Sequence, residues 1–202
     1  MTKTILSHPF RVATILLIAV IGAALAGYGL TIAGAQAVAR YTARLSFMIF
    51  ALVFSIAAWH LFLRSDVSAA LLANRRRLGL TFAYVHFVHL ACVGVYLWLS
   101  GARPQPLRLA GGVLAYLLLA AMAATSNNAA VQKLGHQRWK QLHTVGIYYL
   151  WFVFFMTYLP RLQGKLPGVG GGWVDFVLLF SLLLAIMGLR LTALFYRKPV
   201  TP

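Results

Sequence analysis

Long apolar stretches separated by short polar breaks cover almost the whole chain. Six stretches approach or exceed the roughly 20 residues that a helix needs to cross the hydrocarbon core of a bilayer. They lie at residues 12–39, 45–63, 78–102, 109–132, 141–160 and about 174–195. The breaks between them fall at residues 39–44, 64–77, 101–107, 126–140 and 161–172. The pattern predicts an all-α fold, a six-helix transmembrane bundle that forms a single domain over residues 1–202.

The composition agrees with a membrane location. Hydrophobic residues make up 61% of the chain and the mean hydropathy is +0.82. Soluble domains are roughly 45–50% apolar, so this chain has more apolar surface than one soluble core can bury. Membrane lipid is therefore the expected surrounding, and we predict a multi-pass protein of the cell inner (plasma) membrane.

The net charge of +16 arises mainly because acidic residues are scarce, since Asp66 and Asp175 are the only two. The 18 basic residues lie in the breaks and near the ends of the stretches, which argues against nucleic acid as a partner. Arg190, near the end of the sixth stretch, is expected to snorkel toward the interface. Cytoplasmic loops are usually richer in Lys and Arg, and one side collects twelve of the basic residues, which predicts that both termini are cytoplasmic. These twelve are Lys3, Arg11, Arg64, Arg75, Arg76, Arg77, Lys133, Arg138, Lys140, Arg190, Arg197 and Lys198.

Four histidines lie within or close to the predicted spans. Ionisable groups at membrane depth are costly, so each is a candidate functional residue. His86 and His89 are three residues apart and share one face of span three. His143 opens span five, and His60 lies near the cytoplasmic end of span two. The remaining two histidines lie outside the predicted stretches, with a solvated role as the simplest explanation.

Depth decides which of these side chains can meet. His89 is roughly 16 Å from the inner end of span three at 1.5 Å per residue, whereas His143 is close to the inner surface, so the two cannot easily bind one iron together. A partner for His89 is expected near residues 153–156. Met156 is there, and its thioether can ligate haem iron or simply fill a gap among aromatic rings. His60 and His143 share a depth and are a second candidate pair, the alternative being hydrogen bonds to loop carbonyls or water.

Other kinds of chemistry are disfavoured by the residues present. Zinc and non-haem iron sites need three or four convergent His, Cys or carboxylate ligands, and the chain has two carboxylate side chains. Neither carboxylate lies at the depth of the buried histidines, so no Ser-His-Asp arrangement is predicted. Cys92 is the single cysteine and lies inside span three. Hydrolysis and a proton pump built on membrane carboxylates are therefore not expected.

Two segments resemble the ferric reductase-like transmembrane superfamily. Residues 75–89 contain an Arg-Arg-x-Leu-Gly-Leu run that is followed, ten residues after Gly79, by His89. The second match is Thr125-Ser-Asn, then Leu-Gly at residues 134–135, then Trp-Lys-Gln-Leu-His ending at His143. The resemblance covers about residues 40–160. Within the superfamily it is strongest to the haem-binding membrane subunits of the MsrQ (YedZ) type, which pass electrons to a periplasmic methionine sulfoxide reductase.

The resemblance implies a b-type haem between spans three and five, with axial histidine ligands. His89 stands at the deeper span-three ligand position of the family and His143 at the inner span-five position. Met156 stands where the family has its outer span-five histidine, and Arg75 at the inner span-three ligand position, so neither axial pair of the family is intact. The resemblance also implies an unidentified electron donor on the cytoplasmic side, either another protein or a bound flavin, and an outer-face redox acceptor, either a protein or a small molecule.

Two hypotheses follow. The first is a haem b electron-transfer (oxidoreductase) subunit, rather than a complete enzyme, with a His89/Met156 ligand set or a rearranged one that uses His86, His143 or His60. The second is a haem-free family member that acts as a membrane scaffold or small-molecule channel. A reduced-minus-oxidised spectrum of the purified protein distinguishes them.

Overall fold

The computed structural model describes residues 8–164 and 172–196, and this part of the chain is helical with no strand. Six of its helices are long and apolar enough to cross a membrane. This confirms the predicted all-α, six-helix transmembrane fold. The helices are α1 (Pro9–Tyr28), α2 (Ile32–Phe62), α3 (Asp66–Ala73), α4 (Arg75–Ser100), α5 (Pro106–Ala124), α6 (Asn128–Leu134), α7 (His136–Leu162) and α8 (Trp173–Tyr196).

Successive spans run in opposite directions, so the bundle has two ends. At one end, Trp139 Nε1 at the start of α7 donates a hydrogen bond of 3.0 Å to the Thr125 carbonyl after α5. We call this the His143 end. At the other end, Arg44 of α2 lies 3.5 Å from Asp175 of α8, and we call this the Arg161 end. The charge distribution predicts that the His143 end faces the cytoplasm.

The first turn between spans differs from the sequence-based prediction. The chain turns between α1 and α2 at Gly29, which has a positive φ of 69°, and the Thr31 hydroxyl caps α2 by accepting a 3.1 Å hydrogen bond from Gly34 N. The predicted break at residues 39–44 is wrong, because Arg40 and Arg44 lie inside α2. Arginine is a good helix former, and its long side chain can extend from a membrane helix toward the interface.

The turn between α1 and α2 depends on the absence of a side chain at position 34. A Cβ added at Gly34 would collide with the Gly29 carbonyl oxygen, a backbone atom. We expect Gly34→Ala to destabilise the bundle by about 1–3 kcal/mol, the usual cost of overpacking. Gly27→Ala is the matched control, because an added Cβ there meets nothing within 4 Å. Thermal unfolding in detergent measures the effect, and equal melting temperatures for the two variants would contradict it.

Two of the predicted breaks contain short helices. Ser65 begins α3 with a capping box, in which Ser65 and Ser68 each accept a hydrogen bond from the other's backbone N–H. The Asn127 side chain caps α6. Helix α7 starts at His136, earlier than the predicted span five. His143 therefore lies about two turns inside α7 rather than at its start.

Aromatic side chains fill the middle of the bundle. Helix α4 packs closely on α2, and α7 packs on α5 and α8, whereas the backbones of α4 and α7 scarcely approach each other. The space between α4 and α7 is therefore occupied by side chains and by a cavity. The buried rings of this cluster are Phe47, Phe50 and Phe54 of α2, Phe82 of α4, Phe154 and Tyr158 of α7, and Phe176 of α8.

Candidate functional site

Two histidines on α4 lie inside the bundle, with their ring centroids 5.5 Å apart. Helix α2 supplies a hydroxyl group to each. The Ser46 hydroxyl is 2.7 Å from His86 Nδ1, and the Thr42 hydroxyl is 3.2 Å from His89 Nδ1. Histidines that bind a metal through one ring nitrogen usually have the other nitrogen held by a hydrogen bond, which fixes the orientation of the ring. Here Nδ1 is the held nitrogen in both rings, and Nε2 is the one that would face a metal.

Aromatic rings surround His86, which is 8% exposed. The Tyr116 ring stacks on it at 4.8 Å, and Phe82 and Phe154 lie at 5.3 and 5.8 Å between centroids. The Tyr116 hydroxyl also donates a 3.2 Å hydrogen bond to the His86 carbonyl. These contacts bring α4, α5 and α7 together at one depth and exclude water from the ring.

A cavity of about 750 Å³ lies next to this layer, toward the His143 end. Its deep wall is apolar and includes Phe82, Leu119 and Leu150, and Phe82 also contacts the His86 ring. None of the described residues that line the cavity is acidic. Its cationic, histidine and tryptophan side chains are Arg75, Arg76, Lys140, Arg190, His136, His143 and Trp139.

His143 is half-buried in the wall of this cavity. Its Nε2 lies 3.3 Å from the Thr125 hydroxyl, and its ring is 4.3 Å from the Trp139 ring. His60 has a different partner, because its Nδ1 lies 2.8 Å from the Ser68 hydroxyl. His143 lines the cavity and His60 is not among the residues that line it, so the two histidines have different surroundings although both lie at the His143 end. Helix α3, which follows α2, supplies the group that holds His60.

The sequence predicts that Arg190 snorkels toward the interface, but in the structure its side chain lies in the cavity wall. Its Nε donates to the Tyr148 hydroxyl and its Nη1 to the Phe54 carbonyl, both at 3.1 Å. The guanidinium also lies 4.5 Å from the centre of the Phe54 ring and 4.8 Å from that of Tyr148. All these partners are neutral, so none of them compensates the positive charge that Arg190 brings to the cavity wall.

Met156 lies on a different face of α7 from the buried aromatic residues. Phe154 and Tyr158 are buried, whereas Met156 is 51% exposed. At 3.6 residues per turn, a step of two residues from either neighbour leads to nearly the opposite side of the helix. The structure therefore does not bring Met156 to His89, and its orientation favours packing against lipid.

This orientation gives a prediction for the methionine. If the chain binds haem, as the sequence resemblance implies, Met156→Leu should leave its spectrum and reduction potential unchanged, because leucine fills a lipid-facing position equally well. Met122→Leu is the comparison, since Met122 lines the cavity and its replacement alters the cavity wall. A raised or lowered potential in Met156→Leu, measured by redox titration, would restore Met156 as a candidate ligand.

The fold and the site together define a class: a six-span helical membrane protein with two histidines in its core, beside an amphipathic, positively charged cavity. No family model matches the chain, and no solved structure matches it. Among curated proteins it is similar to the protein-methionine-sulfoxide reductase heme-binding subunit MsrQ of Azospira oryzae, with 33% identity over 137 residues. The match covers 58% of this chain and 53% of that relative, so the matched region spans about half the length of the relative. It supports the resemblance to MsrQ-type subunits, while membership of the wider ferric reductase-like superfamily stays a prediction.

Proposed function

We propose that this chain is a haem-binding subunit that transfers electrons across the membrane. The observation that carries the proposal is the cavity between α4 and α7, which combines apolar walls, two histidines and an excess of positive charge. Haem has matching features, because its macrocycle is apolar, its two propionates are anionic and its iron takes imidazole ligands. A volume of about 750 Å³ also falls in the usual range of cofactor sites. The MsrQ relative is named as heme-binding, in agreement with this proposal.

The residues that would hold haem come from both sides of the cavity. His143 lies in its wall, and the His86 and His89 pair lies just beyond its deep end at Phe82. Ser46 and Thr42 hold the two α4 rings through Nδ1. When bound, haem supplies reversible one-electron oxidation and reduction of its iron. The proposal gives no ligand role to His60 or Met156, because both have other surroundings.

Arg190 and the cationic side chains at the cavity mouth would balance the propionate charges, and the aromatic layer around His86 would keep water from the deeper ligands. The haem would be of the b type, because covalent c-type attachment uses a Cys-x-x-Cys-His motif and Cys92 is the only cysteine. With the His143 end at the cytoplasmic side of an inner membrane, a donor would deliver electrons there and an acceptor would receive them near the Arg161 end.

A reduced-minus-oxidised spectrum of the protein purified in detergent tests the proposal. The wild type should show the sharp α-band of a low-spin b haem. His143→Ala should lower the haem content per chain, because it removes the half-buried one of the two histidines in the cavity wall. His8→Ala is the matched control, since His8 is an exposed histidine just before α1. A wild type without haem absorption would instead favour the haem-free scaffold or channel.

A further inference from the structure

Two arginines converge at the Arg161 end, on the opposite side of the bundle from the cavity. The guanidinium carbons of Arg44 and Arg161 lie 5.8 and 6.0 Å from the centre of the Phe176 ring. Helices α2, α7 and α8 contribute one residue each, and Phe176 is buried. Two cations therefore share one layer around a single buried ring.

The charges in this layer are not balanced. Arg44 has a contact of 3.5 Å with Asp175, whereas Arg161 donates to a carbonyl of its own helix. Arg40 and Arg108 are within electrostatic range of Arg161 and add further positive charge. Among the described residues a single carboxylate thus faces several guanidinium groups, so the layer carries a net positive charge.

Tyr158 is a second, independent feature of this layer that points to a ligand. Its side chain is 4% exposed, and its hydroxyl has no hydrogen-bond partner among the described residues. The hydroxyl is within electrostatic range of both Arg161 and Arg44. A buried polar group without a partner costs roughly 1–3 kcal/mol, so an acceptor from outside the described chain would be stabilised here.

We propose that Arg44, Arg161 and Tyr158 form a binding site for a phosphate group, supplied by the headgroup of a phospholipid. Guanidinium groups match the geometry of phosphate oxygens and form charge-assisted hydrogen bonds with them. The site lies where α7 ends and α8 begins, which is the region of a span that meets the lipid headgroups. It involves no residue of the cavity and does not depend on haem.

The test uses the whole chain in a maltoside detergent, which contains no phosphate. Dioleoylphosphatidylglycerol is added in one series, and dioleoylglycerol, which has the same acyl chains without phosphate, in a second. We expect the phospholipid alone to raise the melting temperature and to remain bound in native mass spectrometry. A third series with inorganic phosphate distinguishes the source, since an equal rise there would assign the phosphate to solution rather than to lipid.

Three variants connect the effect to the site. Arg161→Gln and Tyr158→Phe should lose most of the phospholipid-dependent rise, and Tyr158→Phe should not lower the melting temperature in phosphate-free detergent, because it removes an unpartnered hydroxyl. Arg103→Gln, which removes an exposed charge at the same end, should keep the rise. Equal rises in all variants, or no rise in the wild type, would overturn the proposal.

Discussion

Replacing His89 by alanine is expected to remove the low-spin haem spectrum at unchanged protein yield. His89 lies deep within the bundle, and the Thr42 hydroxyl contacts its Nδ1. Nε2 is therefore the ring nitrogen that would bind the iron. Loss of an axial imidazole removes both a bond to iron and the low-spin state. Absorption spectroscopy and a haem assay on the purified variant measure the effect.

Two conservative variants distinguish His89 from its neighbour. A hydrogen bond at Nδ1 makes an imidazole ligand more basic, which stabilises oxidised iron and lowers the reduction potential. If His89 is the ligand, Thr42→Val should keep the haem and raise its potential, whereas Ser46→Ala should have a smaller effect. A larger rise with Ser46→Ala, together with haem retained in His89→Ala, would assign the ligand to His86 instead.

The number of spans follows from hydrophobic length alone, but the first boundary does not. The break that the sequence predicts at residues 39–44 takes Arg40 and Arg44 as interruptions of the apolar pattern. A charge does not end a helix, whereas the Gly29 turn and the Thr31 cap do. The stretch at residues 12–39 also exceeds what one span needs, and this excess length indicates that a turn lies within it.

Residue counts give an expected depth along each span, but they do not give the direction in which each side chain points. Residue counts from the span ends predict a common depth for His60 and His143, but their positions around α2 and α7 give them different partners. For Met156 the helical period predicts the direction of the side chain, since Phe154 and Tyr158 occupy the buried face. A methionine two residues from each faces the other way.

The groups that surround the candidate ligands belong to other helices and are separated from them in sequence. Ser46 and Thr42 lie on α2, 40 and 47 residues away in sequence from the histidines that they contact. Tyr116 reaches His86 from α5. Serine, threonine and tyrosine occur throughout the chain, so no local pattern distinguishes these three. Only the packing of α2 and α5 against α4 identifies them.

The structure gives Arg190 a different role from the one that the sequence predicts. Its replacement is the second change for which we expect a large effect. Its guanidinium lines the cavity and is held by the Tyr148 hydroxyl, the Phe54 carbonyl and two ring faces, all without charge. An anionic haem propionate bound in the cavity would lie beside a fixed positive charge in surroundings of low polarity. We therefore expect Arg190→Met, which keeps much of the side-chain length and removes the charge, to weaken haem binding.

The expected loss of haem affinity is about tenfold or more. A hydrogen bond to a charged group contributes roughly 1.5–3 kcal/mol, and about 1.4 kcal/mol corresponds to a factor of ten.

Titration of haem-depleted protein with haem and with its dimethyl ester, whose propionates are uncharged, isolates the contribution of the propionate charge. The wild type should prefer haem, and Arg190→Met should lose most of that preference. Arg138→Met, which removes an exposed charge at the same end of the bundle, should keep it. If Arg190→Met prefers haem as strongly as the wild type does, the propionates are balanced by the cations at the cavity mouth, and Arg190 serves to join α8 to α2 and α7.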